Sequence, residues 1–246
     1  FTETVTLNDT PIAEQIICAV DLGINTDAVC SIMKADGTIL ARKFIDFTSD
    51  KDRMIHAMNR TRRKQSKYGP KSTRGLWAYV KRLNEDRAKK ISAAIVEFAS
   101  QHSVDAIVME HLDFKGCKKR GSKAQRLSMW NHGIIREKVE QKAHLLGIRI
   151  ATICAWKTSA LAFDGSGSVT RDDNNHALAT FTTGKQYNCD LSASYNIGAR
   201  YFIRELLKSL PATEESRVKA KVPDAGRRTS CTLSTLRALV KELSAA

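Results

Sequence analysis

The sequence predicts an α/β domain, a mixed β-sheet flanked by helices with a loop-rich insert before the last helix of the core. Three observations predict it. Short apolar runs recur along the chain, two of them joined by an Asp-Gly turn. Longer stretches with three- and four-residue apolar spacing lie between the later runs. A stretch rich in Gly, Ser, Thr, Asp and Asn then interrupts the pattern at 158–188.

The elements follow in order. Residues 16–20 (IICAV) form an apolar run that ends at Asp21, and 28–34 (AVCSIMK) and 38–45 (TILARKFI) are two more strand-like runs. Asp36-Gly37 between the latter two is a hairpin signal, because Gly supplies the positive φ that a tight turn requires. Leu76, Val80, Leu83, Ile91, Ile95 and Phe98 fall broadly on one helical face. Residues 104–109 (VDAIVM) read as a buried strand ending at Glu110. Leu127 to Leu146 reads as an amphipathic helix stopped by Gly147, and 148–153 (IRIATI) as a fifth strand. Asp190 opens a helix to about Leu207, and a short helix near 232–243 closes the tail after Pro211. Three strands, helix, strand, helix, strand, insert, helix is the order of an RNase H-like fold. The expected division is a core first part at 1–157, an insert at 158–188, a core helix at 189–210 and a C-terminal tail at 211–246.

Composition narrows the function. Forty Lys and Arg face 26 Asp and Glu over 246 residues, a net charge of +14. Folding does not require that excess; it attracts polyanions, of which nucleic acid is the commonest large one. The run 60–74 (RTRRKQSKYGPKSTR) holds seven basic residues and no acidic one. Arg60, Arg62, Arg63, Lys64, Lys67, Lys71 and Arg74 are therefore the expected phosphate track, binding with strong salt dependence and without base choice. Lys118, Lys119 and Arg120, within a second basic stretch at 115–126, are a further candidate. Tyr68 is placed to stack on a base. Trp77 reads as helix packing, and Trp130 and Trp156 as core.

Six cysteines occur, at 18, 30, 117, 154, 189 and 231, with no CxxC pair. Cys18, Cys30 and Cys154 read as buried small hydrophobes, and the usage fits a reducing cytosol. No apolar run approaches ~20 residues, so no membrane span is expected. The six histidines show no ligand spacing.

Asp21, Glu110 and Asp190 carry the chemistry. Each stands at the end of a predicted strand or the start of a predicted helix, and such ends in α/β sheets are where sites gather. Taken one at a time, they read as a turn residue, a strand-end charge and a helix cap. Taken together, three carboxylates from distant segments are the hard-oxygen donor set that two Mg²⁺ ions (or Mn²⁺) need for phosphodiester hydrolysis. They are expected to converge on one sheet edge, in one metal-sized cluster.

The surrounding residues carry a family resemblance. AVDLGIN at 19–25, IVMEHLD at 107–113 and CDLSASYNIG at 189–198 resemble the three RuvC motifs. Over about residues 16–205 the chain looks like the RuvC nuclease domain of the type V CRISPR effectors and of the transposon-encoded TnpB proteins. GIRIATICAWKTSALAF resembles the stretch leading to the target-binding insert, including Thr158-Ser159. The resemblance implies a metal-dependent DNA endonuclease guided by RNA, acting in a prokaryotic cytoplasm. Asp21, Glu110 and Asp190 would be its catalytic acids, and Arg171 an insert arginine near the scissile phosphate. Its partners would be guide RNA and target DNA, plus an N-terminal recognition region lying before Phe1 or a second copy of the chain. Two departures stand out. The insert lacks the two CxxC pairs that hold zinc in many relatives, so no zinc is expected there, and Ser192 occupies a position that is often Asn.

Competing functions leave different marks. A nuclease-silent RNA-guided DNA binder would not need three intact acids. An actin-like ATPase or sugar kinase would share the DLGIN strand-turn, but needs a second phosphate loop and a Gly-rich adenosine site, and neither is found. A junction resolvase or transposase would share the acids without the long insert.

Overall fold

Strand β1 (Ile16–Asp21) is the centre of a five-stranded sheet. A computed structural model describes residues 4–112, 129–172, 175 and 177–245. Strands β2 (Ala28–Lys34) and β3 (Ile39–Ile45) continue from β1 as an antiparallel meander. The hairpin between them turns at Gly37 with φ +80°, and the Asp36 side chain accepts from the Thr38 N–H at 2.8 Å. Strands β4 (Ala106–His111) and β5 (Arg149–Cys154) add in parallel on the other side, giving the order β3-β2-β1-β4-β5.

The crossovers are helical. Helices α1 (Thr48–Tyr68) and α2 (Arg74–Gln101) link β3 to β4, and α3 (His132–Leu145) precedes β5. A three-stranded antiparallel sheet of short strands, β6 (Thr170–Arg171), β7 (Leu178–Thr180) and β8 (Gln186–Asn188), follows β5. Helix α4 (Cys189–Ser209) runs back over the large sheet, and α5 (Ala212–Lys221) and α6 (Leu233–Ser244) complete the chain. The result is the expected mixed sheet flanked by helices, in RNase H-like order.

Period-two alternation sorts the strands' side chains into two cores. Cys18, Val20, Ile107 and Met109 face α2 and α3, alongside Ile91, Ile95 and Val139. Ile17, Ala19, Ala106 and Val108 face α4, alongside Ile197, Phe202 and Leu236. Burying one such large apolar side chain contributes about 1.5–3 kcal/mol. These two faces therefore fix the sheet's register, since a one-residue slip would invert both.

Several elements differ from expectation. The helix read from Leu76 begins at Arg74, and α1 precedes it unpredicted. Its buried side chains, Met54 and Thr61, are too sparse among charges to reveal the period. Helix α3 starts at His132; residues 127–128, where it was expected to begin, lie outside the described residues. The tail carries α5 as well as the anticipated last helix. Trp156 is not core: it is 64% exposed, on the turn after β5. Its apolar neighbours end at the sheet edge, and the chain leaves the core there. Cys154 is half-buried for the same reason, whereas Cys18 and Cys30 are fully buried. Among the described residues no helix is long and apolar enough to cross a membrane.

Candidate active site

The parallel register pairs Val20 with Met109, so the next residues, Asp21 and Glu110, stand side by side at the C-terminal ends of β1 and β4. Both share the parity of Ile17, Ala19, Ala106 and Val108, so both side chains lie on the α4 face. Helix α4 packs across β1, β2, β4 and β5. Gly198 lets it sit close: a Cβ there would lie 3.2 Å from that of Ala19 and 2.9 Å from Met33 Cε. The helix N-terminus is held by Asn188, whose side chain accepts from the Leu191 N–H at 2.8 Å. Asp190 is therefore not the cap. It stands in the first turn, at the sheet end where Asp21 and Glu110 emerge.

Asp21 senses the charges of both other carboxylates. Burial, then the charges of Glu110 and Asp190, push the Asp21 carboxyl well above its ordinary range, and the Arg171 guanidinium partly offsets them. Burial also raises Asp190, again opposed by Arg171. Burial raises Glu110, while the Thr158 hydroxyl and the Arg200 charge pull it back down. Asp21 and Glu110 stand at one end of the sheet, and the charge of Asp190 reaches Asp21 from the first turn of α4. They do not form the expected metal-sized cluster as they lie: among the described residues no group of three or more His, Cys, Asp or Glu is arranged to hold an ion.

A buried frame supports the acids. Thr158 Oγ1 donates to Glu110 Oε1. The segment carrying Thr158 is gripped by Asn196, which is fully buried: its Nδ2 donates to the carbonyls of Thr158 (3.0 Å) and Leu161 (2.9 Å), and its Oδ1 accepts from the Leu233 N–H (3.3 Å). Arg200 spends its guanidinium on four carbonyls, those of Cys154 (2.9 Å), Trp156 (2.7 Å), Thr229 (3.0 Å) and Cys231 (3.2 Å). It thus ties the exit of β5 to the chain before α6. Sequence reasoning missed the parts played by Thr158, Asn196 and Arg200. Asn196 and Thr158 lay inside motifs it singled out, whereas Arg200 carried no local signal.

Arg171, on β6, is exposed, and its Nη2 donates to Ser159 Oγ at 2.9 Å. This places it at the mouth of the acid site, consistent with the charge it exerts on Asp21 and Asp190. Between β5 and α4, Phe163 packs edge-on against Phe181, Tyr187 and Tyr195, in a small apolar cluster that joins the core beneath α4.

Arg60, Arg62, Arg63, Lys64 and Lys67 are exposed on the second half of α1; Lys71 and Arg74 are exposed beyond the Gly69-Pro70 turn. The basic run is thus the tip of a helical hairpin. Tyr68 is 60% exposed there, with Lys67 Nζ 5.1 Å from its ring centroid. Trp77 is half-buried and donates to Gln65 Oε1 at 2.7 Å across the hairpin, which fits its reading as packing. Lys118, Lys119 and Arg120 lie outside the described residues.

No protein-family model matches the sequence, and no curated protein sequence is significantly similar to it. Solved structures are similar in fold. The chain superposes on the protein of a Cas12f1-sgRNA-target DNA complex with a TM-score of 0.56 at 19% identity, covering 77% of this chain and 51% of that one. A CRISPR-Cas12f ternary complex gives 0.52 at 17% identity, covering 77% of this chain and 40% of that one. The AacC2c1-sgRNA binary complex gives 0.56 at 10% identity, covering 77% and 39%. The fold is the RuvC-like fold of these type V effectors. The chain spans 51% of the length of the first of them and less of the other two.

Proposed function

We propose that this chain is the nuclease portion of an RNA-guided DNA endonuclease, hydrolysing phosphodiesters with divalent metal held by Asp21, Glu110 and Asp190. The observation that carries the reading is a buried carboxyl, Asp21, repelled by the charges of both Glu110 and Asp190 at one end of the sheet, beneath an exposed arginine. Repulsion of this kind is costly in an ordinary structural role. It is what a multivalent cation relieves, and hard oxygen donors suit Mg²⁺ or Mn²⁺. When bound, such ions supply an activated water and stabilise the leaving oxygen.

The chain's own residues do the rest. Thr158 donates to Glu110 and so favours its ionised form. Arg200 adds positive charge beside Glu110 while fixing the backbone of the turn that presents Thr158. Arg171 offers an exposed guanidinium to a phosphate approaching the acids, and guanidinium and phosphate match in a forked geometry. The cations of α1 would carry the backbone of guide RNA or target DNA. Guide and target enter this reading from the proteins of similar fold, whose structures hold sgRNA, and target DNA in the first.

Calorimetric titration of Mg²⁺ and Mn²⁺ into the chain tests the site directly. The wild type is expected to bind and Asp21→Ala to bind far more weakly. Equal binding by both would remove these acids from the metal site.

A further inference from the structure

The turn that follows β5 carries a large aromatic side chain out of the core. Of the three tryptophans, Trp77 and Trp130 are half-buried, whereas Trp156 is 64% exposed. The backbone beneath it is held at two points: Arg200 Nη1 donates to the Trp156 carbonyl at 2.7 Å, and Asn196 Nδ2 to that of Thr158 at 3.0 Å. Lys157 between them is fixed at φ +60°, a left-handed conformation that residues with a side chain rarely adopt and that persists only where the surroundings over-determine it. Lys157 is exposed, and its ammonium makes no hydrogen bond or ion pair among the described residues. The same turn reaches the acid site: Thr158 donates to Glu110, and Ser159 accepts from the exposed Arg171 at 2.9 Å. Two residues span at most about 7 Å, so the Trp156 backbone lies within that distance of Thr158.

We propose that Trp156 is a stacking platform for one nucleobase of the strand presented to the acids, with Lys157 meeting a phosphate beside that base. The inference rests on the nuclease reading given above and adds to it a residue that positions the strand. Three features select a nucleotide as the occupant. A phosphate seated at the acids brings its neighbouring bases to this turn, because the turn's own Thr158 touches Glu110. An indole accepts the flat face of any base, and single-strand sites combine such platforms with cations that follow the backbone. An apolar protein segment would dock on a contiguous apolar patch, which the surroundings do not offer. Lys157 and Ala160 are the other exposed residues of the turn, and Arg200 joins the Trp156 carbonyl to that of Thr229, an exposed residue preceded by the exposed Arg228. The anchored turn also holds the indole in one place without core packing, which lowers the ordering cost of stacking.

The test measures binding of a single-stranded DNA oligonucleotide, and of a wholly abasic strand of equal length, by fluorescence anisotropy in Ca²⁺, with strand integrity checked on a gel. Ca²⁺ offers the acids a hard cation. Trp156→Ala is expected to weaken binding of the base-bearing strand roughly 5- to 150-fold, the worth of one stacked base, and to leave affinity for the abasic strand unchanged. Trp156→Phe should keep most of the affinity, since a ring remains to stack on. Lys157→Ala should weaken both strands alike and reduce the slope of log affinity against log salt by about 0.7; an unchanged slope would strike Lys157 from the proposal. The melting temperature of Trp156→Ala should match that of the wild type, because the indole is exposed. Unchanged affinity of Trp156→Ala for the base-bearing strand would overturn the platform and leave the indole to a protein segment. An equal loss on both strands, or a melting temperature lowered by several degrees, would overturn it as a structural effect. Failure of the wild type to bind either strand would overturn it too. Each of these outcomes leaves the acids' hold on metal to the calorimetric titration above, which reads it separately.

Discussion

Asn196→Ala perturbs the frame rather than the acids. Three hydrogen bonds disappear, two donated to the carbonyls of Thr158 and Leu161 and one accepted from the Leu233 N–H. At a net worth near 1 kcal/mol each, the loss is about 3 kcal/mol. It cannot be much smaller, because Asn196 is fully buried and its former partners are stranded away from water. For a chain of this size a loss of that order lowers the melting temperature by about 2–4 °C per kcal/mol, or roughly 6–12 °C. Circular-dichroism melts of wild type and variant read it directly. The defect should also reach the site, since freeing the turn at Thr158 loosens the hydroxyl that donates to Glu110. Divalent-ion affinity should therefore fall even where the variant is fully folded. A shift under about 2 °C would refute the reasoning, because Asn196 would then contribute less than a single ordinary hydrogen bond.

Other perturbations follow from the same geometry. Asp21→Asn should raise the melting temperature of the metal-free chain near neutral pH. The folded chain holds protons on these raised carboxyls that the unfolded chain releases, so wild-type stability falls as pH climbs above the ordinary carboxylate range. The advantage of Asp21→Asn should shrink as pH falls back into that range, and a constant gap across the pH series would count against mutual repulsion. Thr158→Val should let Glu110 titrate at still higher pH, moving the acidic limb of a cleavage–pH profile upward, while Thr158→Ser restores it. An unmoved limb would make Thr158 merely structural. Replacing Arg62, Arg63 and Lys64 together by Ala should weaken single-stranded DNA binding and reduce the slope of log affinity against log salt by about 2, which titrations at several salt concentrations measure. An unchanged slope would take α1 out of the interface.

Much of this architecture was legible from the chain alone, for identifiable reasons. Strands β1, β2 and β4 are buried on both faces and appear as continuous apolar runs. The Asp36-Gly37 hairpin and the Gly147 stop both use positive φ, a property carried by single residues. Helix α1 was not legible because its buried positions are few and its other faces serve solvent. Trp156 misled because hydrophobicity marks a residue as worth burying without saying whether the sheet extends far enough to bury it. The three acids could be named from their places at element ends, but their coupling depends on the parallel register of β1 with β4, which no local pattern encodes. Arg200 is less legible still: its four acceptors are backbone carbonyls brought from two distant segments, and backbone groups leave no signature in sequence.

The central claim is that Asp21, Glu110 and Asp190 form a metal-dependent nuclease site. It is tested most directly by cleavage of target DNA by the complete protein with its guide RNA. Wild type, Asp21→Ala, Glu110→Ala and Asp190→Ala should be compared in Mg²⁺ and in EDTA, with target binding measured alongside. Wild type is expected to cut in Mg²⁺ and not in EDTA, and each variant to lose cutting by orders of magnitude while still binding the target, because affinity resides in the cations and the acids act on the chemical step. Cutting at the wild-type rate by Asp21→Ala in Mg²⁺ would contradict the account. A wild type that binds its target tightly and never cuts would contradict it equally, leaving a silent RNA-guided binder.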